Sequence, residues 1–213
     1  MNEFNMCAEF HRVMATRSIM GWHDMEKIPE KPGLYCAYEN GESCTGHAPD
    51  ERRIVYVGIS GVLKKRIKRH FTGDLSNLWS RVCEALYWRG DVNEFIKFPN
   101  PSDVKEISEL LTSEFKNVLP APLVGTVSEY IRNYFSFRYI CIEKSEERSE
   151  LEEKIIASIA ACTLVSHPSW LGNWSSITRV RSLGLWNKDH TTSDERLRQE
   201  NIDRLRVLIA QPC

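Results

Sequence analysis

Two short apolar segments separated by a polar loop constrain the fold of this chain more than any other feature. Residues 33–39 (GLYCAYE) and 53–60 (RIVYVGIS) are rich in aromatic and β-branched side chains, which are typical of β-strands. The loop between them, residues 40–52, opens with Asn40-Gly41 and is mostly polar. Because strands that lie close in sequence usually pair with each other, the spacing predicts an antiparallel pair.

The rest of the chain reads as helices with one further strand. In residues 135–143 (FSFRYICIE), two Phe and a Tyr fall on one side while Arg and two Ile fall on the other, which predicts a third strand. Apolar residues at helical spacing predict helices over residues 1–20, 62–71, 75–89, 102–118, 147–163 and 193–209. The helices between residues 75 and 118 form an insertion ahead of the third strand.

The composition is that of an ordinary folded protein. The chain has 213 residues, of which 42% are hydrophobic and 27% charged, and this length predicts one domain with insertions. The apolar run from Ile155 to Val165 is too short for a membrane helix, which needs about 20 residues. Charges interrupt the N-terminal residues, which therefore lack the apolar core of a signal peptide. We expect no membrane association.

The cysteines indicate the cellular compartment, and the net charge limits how the chain could bind a nucleic acid. The seven cysteines are irregularly spaced, which favours reduced, mostly buried thiols and a cytoplasmic protein. The net charge is −1, from 28 basic and 29 acidic residues. A basic surface over the whole protein is therefore excluded, and binding to a nucleic acid would have to use a local patch.

Two tyrosines lie in the middle of the first two predicted strands. Tyr35 is in the first strand, and Tyr56 in the second alternates with Val55 and Val57, so it should face the opposite side of the sheet from them. Gly58 should leave room beside Tyr56. The strand pattern alone leaves both a functional and a structural role open for the two tyrosines, because two aromatic residues can also form a purely structural cross-strand pair.

The predicted helix at residues 62–71 is strongly cationic. Five positive charges occur in it without a negative one, and Arg66 and His70 lie one turn apart beside Leu63 and Ile67. A guanidinium in this position can hold a phosphate through two parallel hydrogen bonds. The alternative is that Arg66 reaches water or pairs with a glutamate while the lysines form a solvated face.

Glu152 lies on the apolar side of its predicted helix. It precedes Ile155, Ile156 and Ile159 by three, four and seven residues, which is one helical stripe. A carboxylate on such a stripe is costly unless a positive group meets it. Either a metal ion or a salt bridge to Arg66 would satisfy it.

Taken in order, these features resemble the GIY-YIG nuclease family. Residues 33–35 (GLY) resemble the first family motif and residues 56–58 (YVG) the second. The run GIS-x-x-L-x-x-R-x-x-x-H at residues 58–70 resembles the helix that carries the family arginine. The sequence L-E-x-x-I-I at residues 151–156 resembles the metal-binding glutamate segment. The chain is similar to stand-alone or restriction-enzyme-like members.

The resemblance implies an α/β fold of the α+β type, with a small three-stranded antiparallel sheet flanked by helices. It also implies a single domain over residues 1–213. The core would comprise about residues 31–75 and 133–176, with a helical insertion at about 76–132 and a C-terminal helix at about 193–210.

The resemblance further implies a metal-dependent endonuclease that hydrolyses DNA phosphodiester bonds with one Mg²⁺ or Mn²⁺ ion per site. Glu152 matches the metal ligand, and Arg66 matches the arginine that would neutralise charge on the phosphate. His70 matches a histidine of the restriction-enzyme branch. Tyr35 would accept a proton from the attacking water, provided that nearby cations lower its pKa from about 10. Tyr56 would position the water or the phosphate.

Further contacts to DNA and one missing family residue complete the expected site. Contacts to backbone phosphates are expected from the basic helix, through Lys64, Lys65, Lys68 and Arg69. The family asparagine that follows its glutamate has no clear match here, so His167 or Asn173 would take its role.

A second basic patch with aromatic faces for bases could be formed by Arg179, Arg181 and Lys188 with Trp170, Trp174 and Trp186. The alternative for the tryptophans is core packing.

Two other functions stay open at the level of the sequence. One is a structure-specific DNA repair nuclease. The other is a catalytically inactive nucleic-acid-binding module of the same fold, which the missing asparagine and the near-neutral charge favour. Because a single site cuts one strand, cleavage of both strands would require a homodimer or two sequential events.

Overall fold

A small antiparallel sheet is the centre of the fold. The computed structural model of the chain describes residues 3–44, 50, 52–73, 76–95, 119–162 and 167–213. The sheet consists of β1 (Gly33–Ser43), β2 (Arg52–Ser60) and β3 (Phe135–Cys141). β1 lies in the middle and pairs antiparallel with both neighbours. The three-stranded antiparallel sheet expected from the sequence is therefore confirmed.

Helices account for most of the remaining described residues. They are α1 (Glu3–Ala15), α2 (Leu63–Thr72), α3 (Asn77–Arg89), α4 (Ala121–Tyr134), α5 (Ser145–Ala161), α6 (Thr178–Leu183) and α7 (Gln199–Ala210), with 3₁₀ turns at Trp22–Lys27 and Leu171–Trp174. Within the described part of the chain, no helix has the length and apolar character needed to cross a bilayer.

Some predicted helix boundaries need correction. The sequence pattern does not single out α4 or α6, and the predicted helix at 102–118 lies outside the described residues. The last helix begins at Gln199 and not at residue 193. Ser193 instead donates a hydrogen bond to Glu153 across 2.7 Å, which holds the preceding segment against α5.

An irregularity in β2 changes which valines share a face. Ala37 pairs with Tyr56, but the next residue of β1, Tyr38, pairs with Ile54, so Val55 is left over as in a β-bulge. Val55 therefore packs in the same core cluster as Tyr56, whereas Val57 packs in the opposite one. The expectation that Val55 and Val57 share a face is wrong because it assumed an uninterrupted strand.

The two faces of the sheet are covered by different helices. α2, α3 and α4 pack on the face that carries Tyr35 and Tyr56, which we call the tyrosine face. α1, α5 and α7 pack on the opposite face, around Leu34 and Val57. The basic helix α2 and the helix of Glu152, α5, therefore approach β2 from opposite sides of the sheet.

The cysteines are mostly buried thiols, as expected. Cys7, Cys36, Cys44, Cys83 and Cys162 are buried and lie outside any disulfide. The expectation of reduced thiols is wrong for one pair, however, because Cys141 and Cys213 form a disulfide. α7 packs against β3, and this brings the Cα atoms of the pair to 5.5 Å across 72 residues of sequence.

Candidate active site

The two predicted tyrosines meet on one face of the sheet. Tyr35 is opposite Gly58 in the register of β1 and β2, and Tyr56 is opposite Ala37, so the two rings are diagonal neighbours with centroids 6.2 Å apart. A Cβ on Gly58 would lie 2.5 Å from the hydroxyl oxygen of Tyr35. Gly58 thus makes room for Tyr35, and not for Tyr56 as expected, because the space it leaves lies across the strand pair.

α2 brings a guanidinium and an imidazole to the same phenol. The Tyr35 hydroxyl lies 2.8 Å from Nε2 of His70, and Nε of Arg66 donates a hydrogen bond to that hydroxyl across 3.3 Å. The His70 ring is parallel to Phe137 and edge-on to Tyr56. The spacing of four residues between Arg66 and His70 places both on one side of α2, as the sequence indicated.

The imidazole is held from its other side by a residue that the sequence did not indicate. Nδ1 of His70 lies 2.5 Å from Oγ of Ser76. Ser76 is the N-cap of α3, and its side chain also accepts the backbone N–H of Trp79. Tyr35, His70 and Ser76 therefore form a buried chain of hydrogen-bonding groups, at most 1% exposed, that ends at Arg66.

Burial dominates the electrostatics of this chain of groups. It raises the pKa of Tyr35 well above the usual value of 10, the neighbouring Tyr56 adds to the rise, and Arg66 only opposes it. Burial also lowers the pKa of His70 well below 6.5, with a further contribution from the charges of Arg66 and Arg69. The expectation that nearby cations lower the pKa of Tyr35 is therefore wrong in its net direction. Near neutral pH the phenol is protonated and the imidazole is neutral.

Glu152 approaches the same end of the sheet from the opposite face. Ile155 and Ile156 are buried as predicted, and Glu152 itself is half-buried where it accepts the backbone N–H of Ile59. Burial raises the pKa of Glu152, while the charges of His190 and Arg66 oppose the rise. The ion pairs among the described residues include none between Glu152 and Arg66, so Arg66 acts on this carboxylate through space.

The segment after Trp186 adds residues near Glu152 that the sequence analysis missed. The side-chain oxygen of Asn187 accepts a hydrogen bond from the backbone N–H of Val57, and its side-chain nitrogen donates one to the carbonyl oxygen of Val57, at 2.8 Å each. These two bonds fix the segment along the free edge of β2. Asp189 and His190 then lie close enough to alter the pKa of Glu152. No spacing rule links residues 187–190 to Glu152, because only the edge pairing brings them together.

His190 has an unusual backbone conformation. Its φ angle is 61°, in the left-handed region that non-glycine residues rarely adopt. Its Nδ1 atom lies 3.9 Å from a carboxylate oxygen of Glu153. Backbone strain of this kind often occurs at functional sites, and the charge of His190 also acts on the neighbouring Glu152.

The two candidates for the family asparagine lie together elsewhere. The backbone N–H of His167 donates to Glu42, and the side-chain amide of Asn173 donates to the carbonyl oxygens of His167 and Pro168. Within the part of the chain that is described, no contact joins either residue to Tyr35 or Glu152. Their assignment to the site is thus without geometric support.

The basic residues of α2 differ in exposure. Lys65 and Lys68 are exposed, and Arg69 is half-buried. Lys64 forms an ion pair with Glu26 at 2.7 Å, which offsets its charge. Lys65 and Lys68 are therefore the members of the predicted phosphate-binding set that present a full charge to solvent.

Of the three tryptophans considered for a base-binding patch, two pack in the core and one is exposed. Trp170 and Trp186 are buried and donate to the carboxylate of Glu39, as core packing predicts. Trp174 is 49% exposed and precedes α6, where Arg179 and Arg181 are exposed. Of these three tryptophans, Trp174 is the one that offers an aromatic face to solvent.

Glu152 fits a divalent ion of the hard, oxygen-binding type. The described residues contain no cluster of three or more His, Cys, Asp or Glu side chains arranged around one point. Mg²⁺ commonly binds through one or two carboxylates, with water and substrate phosphate completing its octahedron. A half-buried carboxylate whose donor among the described residues is a backbone N–H suits that mode of binding.

Comparison with known proteins agrees with this geometry. The family model of the GIY-YIG domain matches residues 5–212, nearly the whole chain. The chain therefore belongs to the GIY-YIG family, which is a family of nucleases that generally use divalent metal ions. No curated protein and no solved structure matches the chain.

Proposed function

We propose that this protein is a metal-dependent endonuclease that hydrolyses phosphodiester bonds of DNA. The observation that carries the proposal is the placement of Tyr35 between Arg66 and His70, at hydrogen-bond distances of 3.3 and 2.8 Å. Arg66 also acts on the charge of Glu152, so it links the phenol to the acidic residue. Between them, these groups can supply a proton acceptor for the attacking water, a cation for the phosphate and a ligand for a metal ion.

Glu152 would hold one Mg²⁺ or Mn²⁺ ion. The bound ion supplies Lewis-acid stabilisation of negative charge on the phosphate and on the leaving oxygen. The backbone N–H of Ile59 orients the carboxylate by occupying one of its acceptor positions. The metal ion would use the remaining acceptor positions of the Glu152 carboxylate.

Tyr35 would act as a proton relay and not as a preformed phenolate. Arg66 donates to the Tyr35 oxygen, so the phenolic proton is directed to Nε2 of His70. When the oxygen of Tyr35 takes a proton from the attacking water, its own proton passes to His70. The water O–H and the phenolic O–H break, while a new phenolic O–H and an N–H form. The raised pKa of Tyr35 is compatible with this relay, because charge never rests on the phenol.

Arg66 and Tyr56 would serve the phosphate. Arg66 is half-buried, and its guanidinium can neutralise charge that develops on the non-bridging oxygens in the transition state. Tyr56 packs edge-on against His70, with ring centroids 5.9 Å apart, and would position the attacking water. Arg66 and Tyr56 can fill both roles from their places on the tyrosine face.

Binding of DNA would use local patches. Lys65, Lys68 and Arg69 would contact backbone phosphates beside the site, with Lys64 released from Glu26 as a further contact. Such contacts release counterions, so the affinity should fall as salt rises. This salt dependence is expected in spite of a net charge of −1, because binding depends on the local patch.

We further propose that the chain is one nuclease domain over residues 1–213, acting in the cytoplasm. Five buried thiols lie outside any disulfide, which agrees with a reducing compartment. Cleavage of both DNA strands would use a homodimer or two sequential cuts.

Nicking of supercoiled plasmid with Mg²⁺ or Mn²⁺ tests the function. Wild-type protein should nick the plasmid, and Glu152→Ala should not. Glu150→Ala is the matched control, since Glu150 lies on the same helix but is exposed and pairs with Lys154. Loss of nicking in Glu152→Ala alone supports the enzyme. Failure of wild-type protein to cut plasmid and branched DNA, together with retained binding, would favour an inactive binding module.

A further inference from the structure

Ser76 contacts the relay from outside the family motifs. It precedes α3, which belongs to the helical insertion, and its Oγ lies 2.5 Å from Nδ1 of His70. Ser76 is 1% exposed and His70 is not exposed. A buried hydrogen bond to the far side of a catalytic imidazole determines which ring nitrogen carries the proton.

The position of that proton follows from the partners of Tyr35. Its buried hydroxyl has one proton, which needs an acceptor because an unsatisfied buried O–H costs free energy. Arg66 can only donate to this oxygen, whereas Nε2 of a neutral His70 can accept at 2.8 Å. Tyr56 also interacts with the Tyr35 hydroxyl, but the short contact favours His70 as the acceptor. Nε2 is then unprotonated, and the ring proton lies on Nδ1, directed at Ser76.

The hydroxyl of Ser76 can accept both hydrogen bonds that reach it. Its oxygen has two acceptor positions. One takes the backbone N–H of Trp79, as its role of N-cap requires, and the other takes Nδ1–H of His70. The start of α3 and the tautomer of His70 are therefore fixed by the same atom.

We propose that Ser76 is a positioning residue that holds His70 in the Nδ1–H tautomer, so that Nε2 can receive the proton of Tyr35. This inference rests on the proposed nuclease function for its catalytic consequence. Its structural content, the tautomer of His70, does not depend on that function. It gives the helical insertion a part in the site, because the residue that sets the tautomer begins an insertion helix.

Nitrogen-15 NMR of ¹⁵N-histidine-labelled full-length protein tests the tautomer directly. Above the pKa of His70, wild-type protein should show Nε2 unprotonated and Nδ1 protonated. Ser76→Ala should move the population to the Nε2–H tautomer, and Ser76→Thr, which keeps the hydroxyl, should restore it. Ser80→Ala is the matched control, because Ser80 is equally buried on α3 and its hydroxyl has no hydrogen-bond partner among the described residues.

The plasmid assay tests the catalytic consequence. Ser76→Ala should nick about 10- to 100-fold more slowly, the range found when the outer hydrogen-bond partner of a metal-binding histidine is removed. Its acidic pH limb should move to lower pH, because an imidazolium without an acceptor for Nδ1–H is more acidic. Ser76→Thr should recover both properties, and Ser80→Ala should keep them.

Two results would overturn the inference. The first is an Nε2–H tautomer of His70 in folded wild-type protein. The second is a Ser76→Ala variant that slows nicking without any change in tautomer or pH profile, because loss of the N-cap alone would explain it. If wild-type protein cuts no DNA, the nuclease proposal fails, while the NMR measurement still decides the role of Ser76.

Discussion

Glu39 and Glu152 are both withdrawn from bulk water, but their partners differ. Glu39 is 4% exposed and lies on β1, on the tyrosine face. Its carboxylate accepts hydrogen bonds from the indole N–H groups of Trp170 and Trp186, at 2.9 and 3.1 Å, and from the hydroxyl of Tyr130 at 2.9 Å. Burial raises its pKa to about 7 in spite of these three donors.

Glu152 has fewer donors and more charge around it. Its protein donor is the backbone N–H of Ile59, and the charges of His190 and Arg66 oppose the rise in its pKa that burial causes. Among the described residues this donor leaves further acceptor positions of the carboxylate open, and the charges around it are mixed, because Asp189 adds to the rise that His190 and Arg66 oppose. A buried carboxylate whose acceptor positions are filled by neutral side chains stabilises the packing around it, whereas a carboxylate with open positions can hold a ligand.

The largest effect expected from this comparison is on activity. Glu152→Gln keeps the volume and an acceptor for Ile59 but loses the charge, so nicking should fall at least about 100-fold. Glu39→Gln makes the same chemical change at the filled site and should leave the rate per folded molecule within about threefold. Plasmid nicking by both variants, normalised to the folded fraction, measures the difference.

An equal loss of nicking in the two folded variants would break the comparison. It would mean that the charge of Glu39 reaches the reacting phosphate through the sheet. A normal rate in Glu152→Gln would instead show that no ion depends on the charge of this residue.

The sequence predicted the chemistry of the site better than its surroundings. Helical spacing is a local rule and predicted that Arg66 and His70 lie on one side of their helix, whereas Tyr35 was joined to them only by the family resemblance. Glu152 was predicted only from its isoleucine stripe and the family resemblance. Its proximity to β2 depends on long-range packing.

What the sequence could not predict depends on irregular backbone and on burial. The bulge at Val55 breaks the strict alternation that sequence analysis assumes. Asp189 and His190 reach Glu152 through the pairing of Asn187 with the edge of β2, which no local pattern encodes. The direction of the pKa shift of Tyr35 follows from its complete burial, and a list of nearby cations gives the opposite answer.

The pH dependence of stability should distinguish the two carboxylates next. An unfolded glutamic acid titrates near 4.5, whereas folded Glu39 titrates at about 7. Because the folded state binds this proton more tightly, the stabilisation is complete below about pH 4.5 and is lost as the pH rises through about 7. The loss is on the order of 3 kcal/mol.

Urea unfolding of wild-type protein and Glu39→Gln measures this effect. The free energy of unfolding of wild type, relative to the variant, should fall between about pH 5 and about pH 8. Subtracting the variant removes the contribution of Glu152, which has the same sign. A relative stability that stays constant or rises over this range would show that the three donors hold Glu39 ionised in the folded state.

The smallest expected effect concerns which end of the tyrosine face meets DNA. If Glu152 marks the end of the sheet that binds DNA, the exposed Lys65 and Lys68 of α2 should contact phosphates. Each change to alanine should weaken DNA binding a few-fold and reduce the slope of log affinity against log salt by about 1. Arg89→Ala is the control at the other end, since Arg89 stacks on Tyr130 beside Glu39. Filter binding at several salt concentrations measures the slopes, and a reduced slope in Arg89→Ala with unchanged slopes in the lysine variants would place DNA at the Glu39 end.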